Sequence, residues 1–488
     1  MSQEITDLRQ IRIEKLRRLQ EKGTDPFRIE KFDRTHQSQD IVEQFDELNG
    51  QTVSIAGRVM TKRMMGKASF IHIQDMLGRI QIYVRKDVIG DEDFEDFKTI
   101  DIGDILGVTG EVFLTNTGEK SVKASRVTLL TKSLFTLPEK YHGLTDPELR
   151  YRHRYVDLIM NPEVRETFIK RNLIIKGIRK YLDNLGYLEV ETPILQTVAG
   201  GAAARPFLTH HNTLDLDMQL RIANELFLKR LIVGGFDKVY EMGKMFRNEG
   251  ISMRHNPEFT SIELYAAYQD YEDMMDTLEG MVETLCLELY GTTVINYQDR
   301  EIDFKRPWRR ASMNDLVVEK TGVNFFDMQL DQAIEVAKKK LHLEVEPYMT
   351  EGHLVNLAFE EYCEKDLVQP TFVLHHPVEI SPLAKRNPDD PRITNRFETF
   401  VNTWEIANAF SELNDPIDQR GRFEDQVKAG QGGDEESHPM DEDFLQAIEV
   451  GLPPTGGMGI GVDRLIMILT GASSIRDIIF FPTMKPTD

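Results

Sequence analysis

The sequence predicts an α+β protein with two parts: a small five-stranded β-barrel near the N-terminus, and a larger domain in which helices flank an antiparallel sheet. Two observations predict this. Short segments rich in Val, Ile, Phe and Tyr occupy residues 52–60, 69–74, 79–85, 105–114 and 122–130, a spacing that suits a small closed barrel. Beyond residue 160, helical and strand patterns mix without regular alternation, which disfavours repeated βαβ units.

Residues 1–50 form an N-terminal extension whose first element is a predicted helix over residues 4–22. Leu8, Leu16 and Leu19 share one helical stripe, and Gly23 ends the pattern. Six basic side chains oppose four acidic ones in this helix. For so short a run, a solvated surface is a commoner role than RNA binding.

The predicted barrel, residues 51–135, has an uneven charge. Residues 51–86 hold seven basic side chains and one acidic side chain, together with Phe70, His72 and Tyr83. Cations beside aromatic rings on a sheet suit single-stranded nucleic acid, because the cations meet phosphates and the rings stack on bases. An ordinary barrel with its aromatic residues in the core fits equally well. The acidic stretch 91–96 is interpreted as a turn between strands.

A linker at residues 136–160 leads to the larger domain, residues 161–488. Helical patterns cover residues 162–185 and 272–290 and most of 313–366, whereas residues 371–379 and 396–410 favour strands. The acidic, glycine-containing stretch 430–443 is predicted to be a loop.

Composition excludes several classes of protein. The chain has 488 residues, a formal net charge of −22 and a pI of about 5.1, which by itself argues against a generic nucleic-acid binder. Cys286 and Cys363 are the two cysteines and have no partners at metal spacing, so a zinc module and a disulfide framework are excluded. No apolar run approaches the roughly 18 residues that cross a bilayer, and the N-terminus is charged. We therefore expect a cytoplasmic protein.

A glycine-rich run, GGMGIGVDRL, covers residues 456–465. It lacks the third glycine of a Rossmann fingerprint, and the chain has no phosphate-binding P-loop sequence. Glycines let a flat ligand approach the backbone, and Arg464 could then stack on a base or neutralise a phosphate. A strand-to-helix turn with a structural arginine is at least as probable from the glycines alone.

Two further strands joined by a polar loop are indicated by FRNE at residues 246–249, HNPEF at 255–259 and ELY at 263–265. Arg247 and Arg464 could hold a triphosphate while Phe259 and a guanidinium clamp its base. Taken separately, the same residues are ordinary salt bridges and core aromatics.

Glu405 and Glu412 lie seven residues apart. In a helix they would share a face, whereas in a strand they would need a bulge or a change of element. Two carboxylates with few nearby cations suit Mg²⁺. A solvated acidic face is the commoner explanation for such a pair.

Together these segments resemble the class II aminoacyl-tRNA synthetases. Residues 186–193 are similar to motif 1 of that family, residues 246–263 to motif 2 and residues 457–464 to motif 3, in the required order. Residues 200–207, 246–252, 255–260 and 410–415 look like the lysyl-tRNA synthetases of bacterial type rather than their aspartate and asparagine relatives. The resemblance covers nearly the whole chain, and it implies an OB-fold anticodon-binding domain at residues 51–135.

The resemblance implies an enzyme that activates L-lysine with ATP and transfers it to the 3′ end of lysine tRNA for protein synthesis. It also implies a homodimer with motif 1 at its interface, up to three Mg²⁺ ions bound with ATP, and neither a membrane nor a DNA partner. A shortened paralogue that lysylates elongation factor P lacks the barrel. A catalytically silent relative would lack Arg247, Glu412 or Arg464, and all three are present.

The resemblance also assigns site residues. The catalytic pair is Arg247 and Arg464. The ATP-binding residues are Arg247, Glu249, His255, Asn256, Phe259, Glu405 and Arg464. The lysine-binding residues are Gly201, Glu225, Arg247, Glu263, Tyr265, Asn408, Phe410 and Glu412. Glu405 and Glu412 are the metal ligands, and Lys62, Arg63, Phe70 and Gln81 contact the anticodon.

Overall fold

A computed structural model of the chain describes residues 3–138, 144–202, 204–431 and 440–487. The chain forms two compact units, Met1–Thr145 and Asp146–Asp488. Most of the predicted loop at 430–443 lies outside the described residues, as do residue 203 of the 200–207 segment and residues 139–143 of the linker.

The first unit contains a closed five-stranded barrel with strand order β1-β2-β3-β5-β4, as predicted. Its strands are β1 (Thr52–Met65), β2 (Ala68–Gln74), β3 (Arg79–Arg85), β4 (Ile105–Leu114) and β5 (Lys120–Thr131). Alternate residues such as Val53 and Ile55 on β1 and Ile71 and Ile73 on β2 are buried inside. Burial of these β-branched side chains closes the barrel.

Five helices belong to the same unit: α1 (Gln3–Glu21), α2 (Ser38–Glu43), α3 (Phe45–Leu48), α4 (Lys86–Ile89) and α5 (Asp91–Lys98). The interpretation of residues 91–96 as a turn was wrong, because they form most of α5. Phe94 and Phe97 lie on this helix, and their side chains are buried in the barrel core. The first turn of α5 carries three acidic residues, and negative charge is favourable at a helix N-terminus.

The strands of the second unit are β6 (Leu188–Glu189), β7 (Leu195–Gln196), β8 (Leu208–His211), β9 (Leu216–Leu220), β10 (Lys238–Phe246), β11 (Glu258–Ala267), β12 (Val294–Tyr297), β13 (Arg300–Asp303), β14 (Arg309–Ser312), β15 (Thr371–Leu374), β16 (Arg396–Val401), β17 (Trp404–Ser411) and β18 (Thr455–Ile460). Eight of them form one sheet in the order β14-β15-β16-β17-β18-β11-β10-β6. The sheet is mixed rather than purely antiparallel, because the outer pairs β14–β15 and β10–β6 are parallel.

The helices of this unit are α6 (Pro147–Arg152), α7 (Arg154–Met160), α8 (Pro162–Asn184), α9 (Glu225–Val233), α10 (Tyr271–Tyr290), α11 (Met313–Thr321), α12 (Leu330–Lys339), α13 (Glu351–Tyr362), α14 (Pro416–Gln431), α15 (Glu442–Gly451), α16 (Val462–Thr470) and α17 (Ile475–Ile478). The predicted strand at 371–379 ends at Leu374, and a 3₁₀ turn at Val378–Ile380 follows. Residues 396–410 form a hairpin of two strands.

The largest hydrophobic core lies on one face of the eight-stranded sheet. Ile262 and Leu264 of β11 and Met458 of β18 pack there with Met274 of α10 and Leu465 of α16. This packing fixes the sheet and leaves the alternate residues of the central strands on the opposite face. Within the described part of the chain, no helix is both long and apolar enough to span a bilayer.

Candidate active site

A cavity of about 420 Å³ lies over strands β11, β17 and β18, beside the loop that follows β10 and the N-terminus of α9. Its volume is typical of pockets that hold small molecules. Strand alternation supplies its lining: Ile262 and Leu264 enter the core, whereas Glu263 and Tyr265 face the cavity. Its charged lining includes the side chains of Arg247, Arg254, Arg396 and Arg464 and the carboxylates of Glu225, Glu249, Glu263 and Glu405.

Arg247 and Phe259 meet because β10 and β11 pair antiparallel, with Met245 opposite Phe259. The guanidinium carbon of Arg247 lies 5.2 Å from the centroid of the Phe259 ring, a cation–π distance. Burial lowers the pKa of Arg247, and the charges of Glu249 and Glu405 oppose that effect. Its Nε is buried without a hydrogen-bond partner among the described residues, so this donor can serve an anionic ligand.

Arg464 lies in the first turn of α16 and contacts both strand β17 and the loop between β10 and β11. Its Nη1 donates to the backbone oxygen of Glu405 over 2.6 Å, and its Nη2 lies 3.1 Å from Nε2 of His255. Burial, Arg464 and Arg254 lower the pKa of His255. A neutral imidazole can therefore accept the hydrogen bond from Arg464.

The loop between β10 and β11 brings the remaining predicted nucleotide contacts to the cavity wall. Glu249 and His255 are exposed on this loop, while Asn256 is buried. Asn256 Nδ2 donates to the backbone oxygen of Glu258 over 2.6 Å, and its Oδ1 has no hydrogen-bond partner in the described part of the chain.

The structure separates the two predicted metal ligands. Strand β17 has a bulge at Ile406, and Glu405 lies on the cavity face. A bulge was the condition under which Glu405 and Glu412 could share a face of a strand. However, partial burial and then the charge of Glu398 raise the pKa of Glu405, whereas Glu412 is completely buried and ion-paired with Lys229. Glu398 thus contributes to the electrostatics at Glu405, although its own Oε1 is ion-paired with Arg396 Nη2 at 2.7 Å. Sequence reasoning missed Glu398, which precedes Glu405 by seven residues.

The acidic end of the cavity contains Glu225, the first residue of α9, and Glu263 on β11. The hydroxyl of Tyr265 donates a hydrogen bond of 2.9 Å to Glu263 Oε2. Burial and the nearby charge of Glu225 raise the pKa of Glu263 to about 8, although the Tyr265 hydrogen bond acts in the opposite direction. This region therefore has excess negative charge and favours a cationic ligand.

Lys229 is a buried residue of this region that sequence reasoning missed. Its Nζ lies 2.5 Å from Glu225 Oε1 and also contacts Glu412. Because Lys229 follows Glu225 by four residues on one helix, the spacing was a usable signal. Its second partner, Glu412, is distant in sequence and could not be found in the same way.

The other predicted lysine-binding residues complete the cavity wall. Gly201 has a φ of +88°, and a Cβ there would lie 3.1 Å from the Cβ of Glu225. Asn408 Oδ1 accepts a 3.0 Å hydrogen bond from Arg396 Nε, and Phe410 faces the cavity beside it.

The glycine run forms a strand-to-helix turn with an arginine that pairs with a carboxylate, which is the second of the two interpretations of the sequence. Gly457 and Gly459 lie within β18, Gly461 caps α16 directly after the strand, and Arg464 Nη1 lies 3.4 Å from Glu405 Oε2. A Cβ on Gly457 would overlap the carboxylate of Glu412 and lie 2.5 Å from the Tyr265 ring. The missing side chain at Gly457 therefore makes room for two protein side chains, and Gly457, Gly459 and Gly461 also line the cavity.

The predicted anticodon residues lie on the barrel. The rings of Phe70 and Tyr83 stack with centroids 4.7 Å apart, and the exposed Arg63 pairs across the strands with Phe70. Gln81 Nε2 donates to Glu119 Oε2 over 2.6 Å, a partner that sequence reasoning missed.

The side chain of Lys62 makes contacts within the protein instead of the predicted contact with the anticodon. Its Nζ donates to the backbone oxygens of Phe97, Lys98 and Ile100 over 2.8–3.0 Å, and burial lowers its pKa to about 8. Lys62 thus donates to two carbonyls at the C-terminal end of α5 and to one just beyond it, where helix carbonyls lack full intrahelical pairing.

Comparisons with known proteins find matches for both structural units of the chain. Residues 146–485 match the family model of class II tRNA synthetases (D, K and N), and residues 53–130 match the OB-fold nucleic-acid-binding domain. A lysine–tRNA ligase of Thermoanaerobacter sp. (strain X514) is 58% identical over 486 residues, covering 99% of this chain and 97% of that protein. The lysine–tRNA ligase of Bacillus subtilis (strain 168) is 56% identical over 491 residues, covering 99% and 98%.

Proposed function

Because the chain belongs to the class II tRNA synthetases of the aspartate, lysine and asparagine group, we propose that it uses ATP to join L-lysine to lysine tRNA. The observation that carries the choice of lysine is the acidic end of the cavity. Glu225, Glu263 and Glu412 gather there around a single ammonium, that of Lys229. A second amine is attracted to such a site, whereas the carboxylate of aspartate is repelled.

The arrangement supports binding of lysine along the cavity. Glu225 takes the α-amine, and Glu263 and Tyr265 take the side-chain amine, with Glu412 behind them. Arg247 meets the substrate carboxylate and the α-phosphate of ATP. An apolar amino acid would leave buried carboxylates without a counter-charge, so it is rejected by more than the loss of one contact.

For ATP, the adenine stacks on Phe259 and the triphosphate extends towards Arg464. Glu249, His255 and Asn256 hold the nucleotide from the loop. The unpartnered Nε of Arg247 and Oδ1 of Asn256 are a buried donor and a buried acceptor, and such atoms are normally satisfied by a partner. A bound nucleotide offers both groups.

A divalent cation fits beside Glu405. Burial and then the charge of Glu398 raise the pKa of Glu405, although Arg464, Arg396 and Arg247 oppose this. A cation beside Glu405 would favour its ionised form, while Glu398 itself is paired with Arg396. Among the described residues, no three His, Cys, Asp or Glu side chains cluster with metal-binding geometry. A carboxylate pair that leaves coordination positions to phosphates and water is typical of Mg²⁺. The bound ion would neutralise charge on the phosphates of ATP.

In the first step a carboxylate oxygen of lysine attacks the α-phosphorus, and the bond to pyrophosphate breaks to form lysyl-adenylate. Arg247 and Arg464 neutralise the negative charge on the phosphates, so catalysis rests on positioning and electrostatics. In the second step a hydroxyl of the terminal ribose attacks the lysyl carbonyl and releases AMP. No covalent bond to the enzyme forms.

The barrel supplies the surface for the tRNA anticodon. Phe70 stacked on Tyr83 provides an aromatic platform for a base, and Arg63 is an exposed cation beside it. The Gln81 amide is held by Glu119 and Ser121, and its second N–H is the group that we propose meets a base edge. The presence of this barrel also distinguishes the chain from the shortened paralogue.

We infer a homodimer that works in the cytoplasm, where tRNA is charged for protein synthesis. Around motif 1, Leu185, Leu188, Ile194 and Leu195 are each at least 40% exposed. Several exposed apolar residues in one region are typical of a surface covered by a partner. A second copy of this chain is the partner that we propose.

The deciding experiment is exchange of labelled pyrophosphate into ATP with lysine, aspartate or asparagine, followed by aminoacylation of lysine tRNA. We expect exchange with lysine alone and charging of lysine tRNA. Exchange supported by aspartate or asparagine but not by lysine would overturn the proposed specificity.

A further inference from the structure

Lys229 is the most enclosed cation of the acidic end of the cavity. It is 1% exposed, and its Nζ lies between carboxylates from two separate elements, Glu225 on α9 and Glu412 after β17. The rings of Tyr265, Phe410 and Phe444 surround it at 5.3–6.0 Å. Its two ion-pair partners, Glu225 and Glu412, both lie outside motifs 2 and 3.

A buried lysine remains charged only if nearby groups compensate for its lost solvation. Burial lowers its pKa, but Glu225 and Glu412 raise it, and the net direction is upwards. Burial likewise raises the pKa of Glu412, and Lys229 opposes that rise. The ion pairs of Lys229 with Glu225 and Glu412 therefore favour an ammonium between two carboxylates. Replacing it with an apolar residue would leave Glu412 buried without a counter-charge, which is strongly unfavourable.

The count of charges is informative. In the state that binds two amines, Glu225, Glu263 and Glu412 are ionised and Lys229 is protonated, so the cluster then carries two excess negative charges. L-Lysine brings two ammonium groups, and its carboxylate is met elsewhere by Arg247. The cluster and the two amines of the substrate are thus matched, whereas without Lys229 one further proton would be needed for balance.

We propose that Lys229 is a positioning residue for substrate selection, which sets the charge of the pocket to match exactly two amines and orients Glu225 and Glu412 towards them. This inference rests on the proposed function, since it concerns how that substrate is chosen. Lys229 acts through the two carboxylates and does not itself touch the substrate.

The test is a double-mutant cycle between Lys229→Met and Glu412→Gln, with the KM for lysine measured by pyrophosphate exchange across pH 6.5–9. In the wild-type background, Lys229→Met should raise this KM about tenfold or more and move the acidic limb of its pH profile upwards by about one unit. The KM for ATP should stay within about twofold of the wild-type value. In the Glu412→Gln background, where Lys229→Met restores the two-charge excess, its effect on the KM for lysine should be below about threefold.

A purely structural role gives a different result. If Lys229 only fills space, Lys229→Met has the same effect in both backgrounds and leaves the pH profile in place, which would overturn the proposal. Lys339→Met is the matched control, because Lys339 also pairs with a glutamate four residues away on a helix but is exposed. It should leave the KM for lysine and the pH profile unchanged.

Folding is monitored by thermal unfolding of all variants. If Lys229→Met does not fold but the double variant does, the charges of Lys229 and Glu412 are coupled in the free energy of unfolding. This result supports the proposal. If neither folds, Lys229 is required for packing and the proposal fails. The proposed function is judged separately, because it fails only if the wild-type chain shows no lysine-dependent exchange.

Discussion

The hydroxyl of Tyr265 donates to the carboxylate of Glu263, two residues away on the same strand, over 2.9 Å. Both side chains project from one face of β11 because side chains alternate along a strand. Burial and Glu225 raise the pKa of Glu263 to about 8, and the Tyr265 hydrogen bond partly offsets this rise. The pair links the protonation of the pocket to its affinity for an amine.

The KM for lysine should fall as the pH rises from 6.5 towards 8. Below about pH 8 Glu263 is protonated, and its proton must leave before the carboxylate can bind an ammonium; well below the pKa the expected change is about tenfold per pH unit. Tyr265→Phe removes the hydrogen bond that lowers the pKa, so the pH-dependent limb should move to higher pH. Tyr268→Phe, at an exposed tyrosine beyond the same strand, is the control. A KM that does not vary with pH would contradict the assignment of Glu263.

Gly457→Ala should lower lysine-dependent exchange by roughly a hundredfold, because displacement of binding groups by about 1 Å has effects of this size. The new Cβ would overlap the Glu412 carboxylate and press on the Tyr265 ring. At Gly459 a Cβ would meet nothing closer than 3.6 Å, so Gly459→Ala should stay within about twofold of wild type. Equal losses in the two variants would show that both glycines serve the ligand instead.

Glu398→Gln should weaken binding of a divalent cation by about tenfold or more. Binding of Mn²⁺ to the enzyme with a non-hydrolysable ATP analogue, followed by electron paramagnetic resonance, measures this without turnover. Glu412→Gln should leave Mn²⁺ binding unchanged and raise the KM for lysine, because Glu412 pairs with Lys229. The reverse pattern would restore Glu405 and Glu412 as the cation pair.

Phe70→Ala should weaken charging of lysine tRNA while leaving pyrophosphate exchange intact. A stacked base contributes about 1–3 kcal/mol, so we expect kcat/KM for tRNA to fall about tenfold or more. Phe27→Ala, which removes another exposed ring of the same unit, controls for loss of surface area. Equal loss of exchange and charging would contradict a role of Phe70 in tRNA binding.

Lys62 and Arg63 should behave differently although they are adjacent. Lys62→Met leaves three backbone carbonyls of the barrel unit without their donor, so it should lower the free energy of unfolding by about 1–3 kcal/mol. Arg63→Met should leave the melting temperature unchanged and make tRNA binding less salt-dependent, with a slope reduced by about 0.7. A stable Lys62→Met variant with weaker tRNA binding would return Lys62 to the anticodon surface.

Much of the fold was predictable because its strands and helices follow from local sequence patterns. Alternation of apolar residues located all five barrel strands, and one of the two interpretations of the glycine-rich run, a strand-to-helix turn, matches β18 followed by α16. The interpretation of residues 91–96 failed because acidic residues are common both in turns and in the first turn of a helix. Phe94 and Phe97, at helical spacing, were the overlooked signal.

The sequence by itself determined the two-part architecture, the order of the three motifs and the set of charged residues from which the site is built. Only the tertiary structure decided which charges face each other: Glu398 acts on Glu405, Lys229 joins Glu225 to Glu412, and Lys62 serves backbone carbonyls. The physical reason is that electrostatic interactions depend on separation and burial in space. Residues such as Lys229 and Glu412 are brought together by the packing of distant elements, which no local pattern encodes.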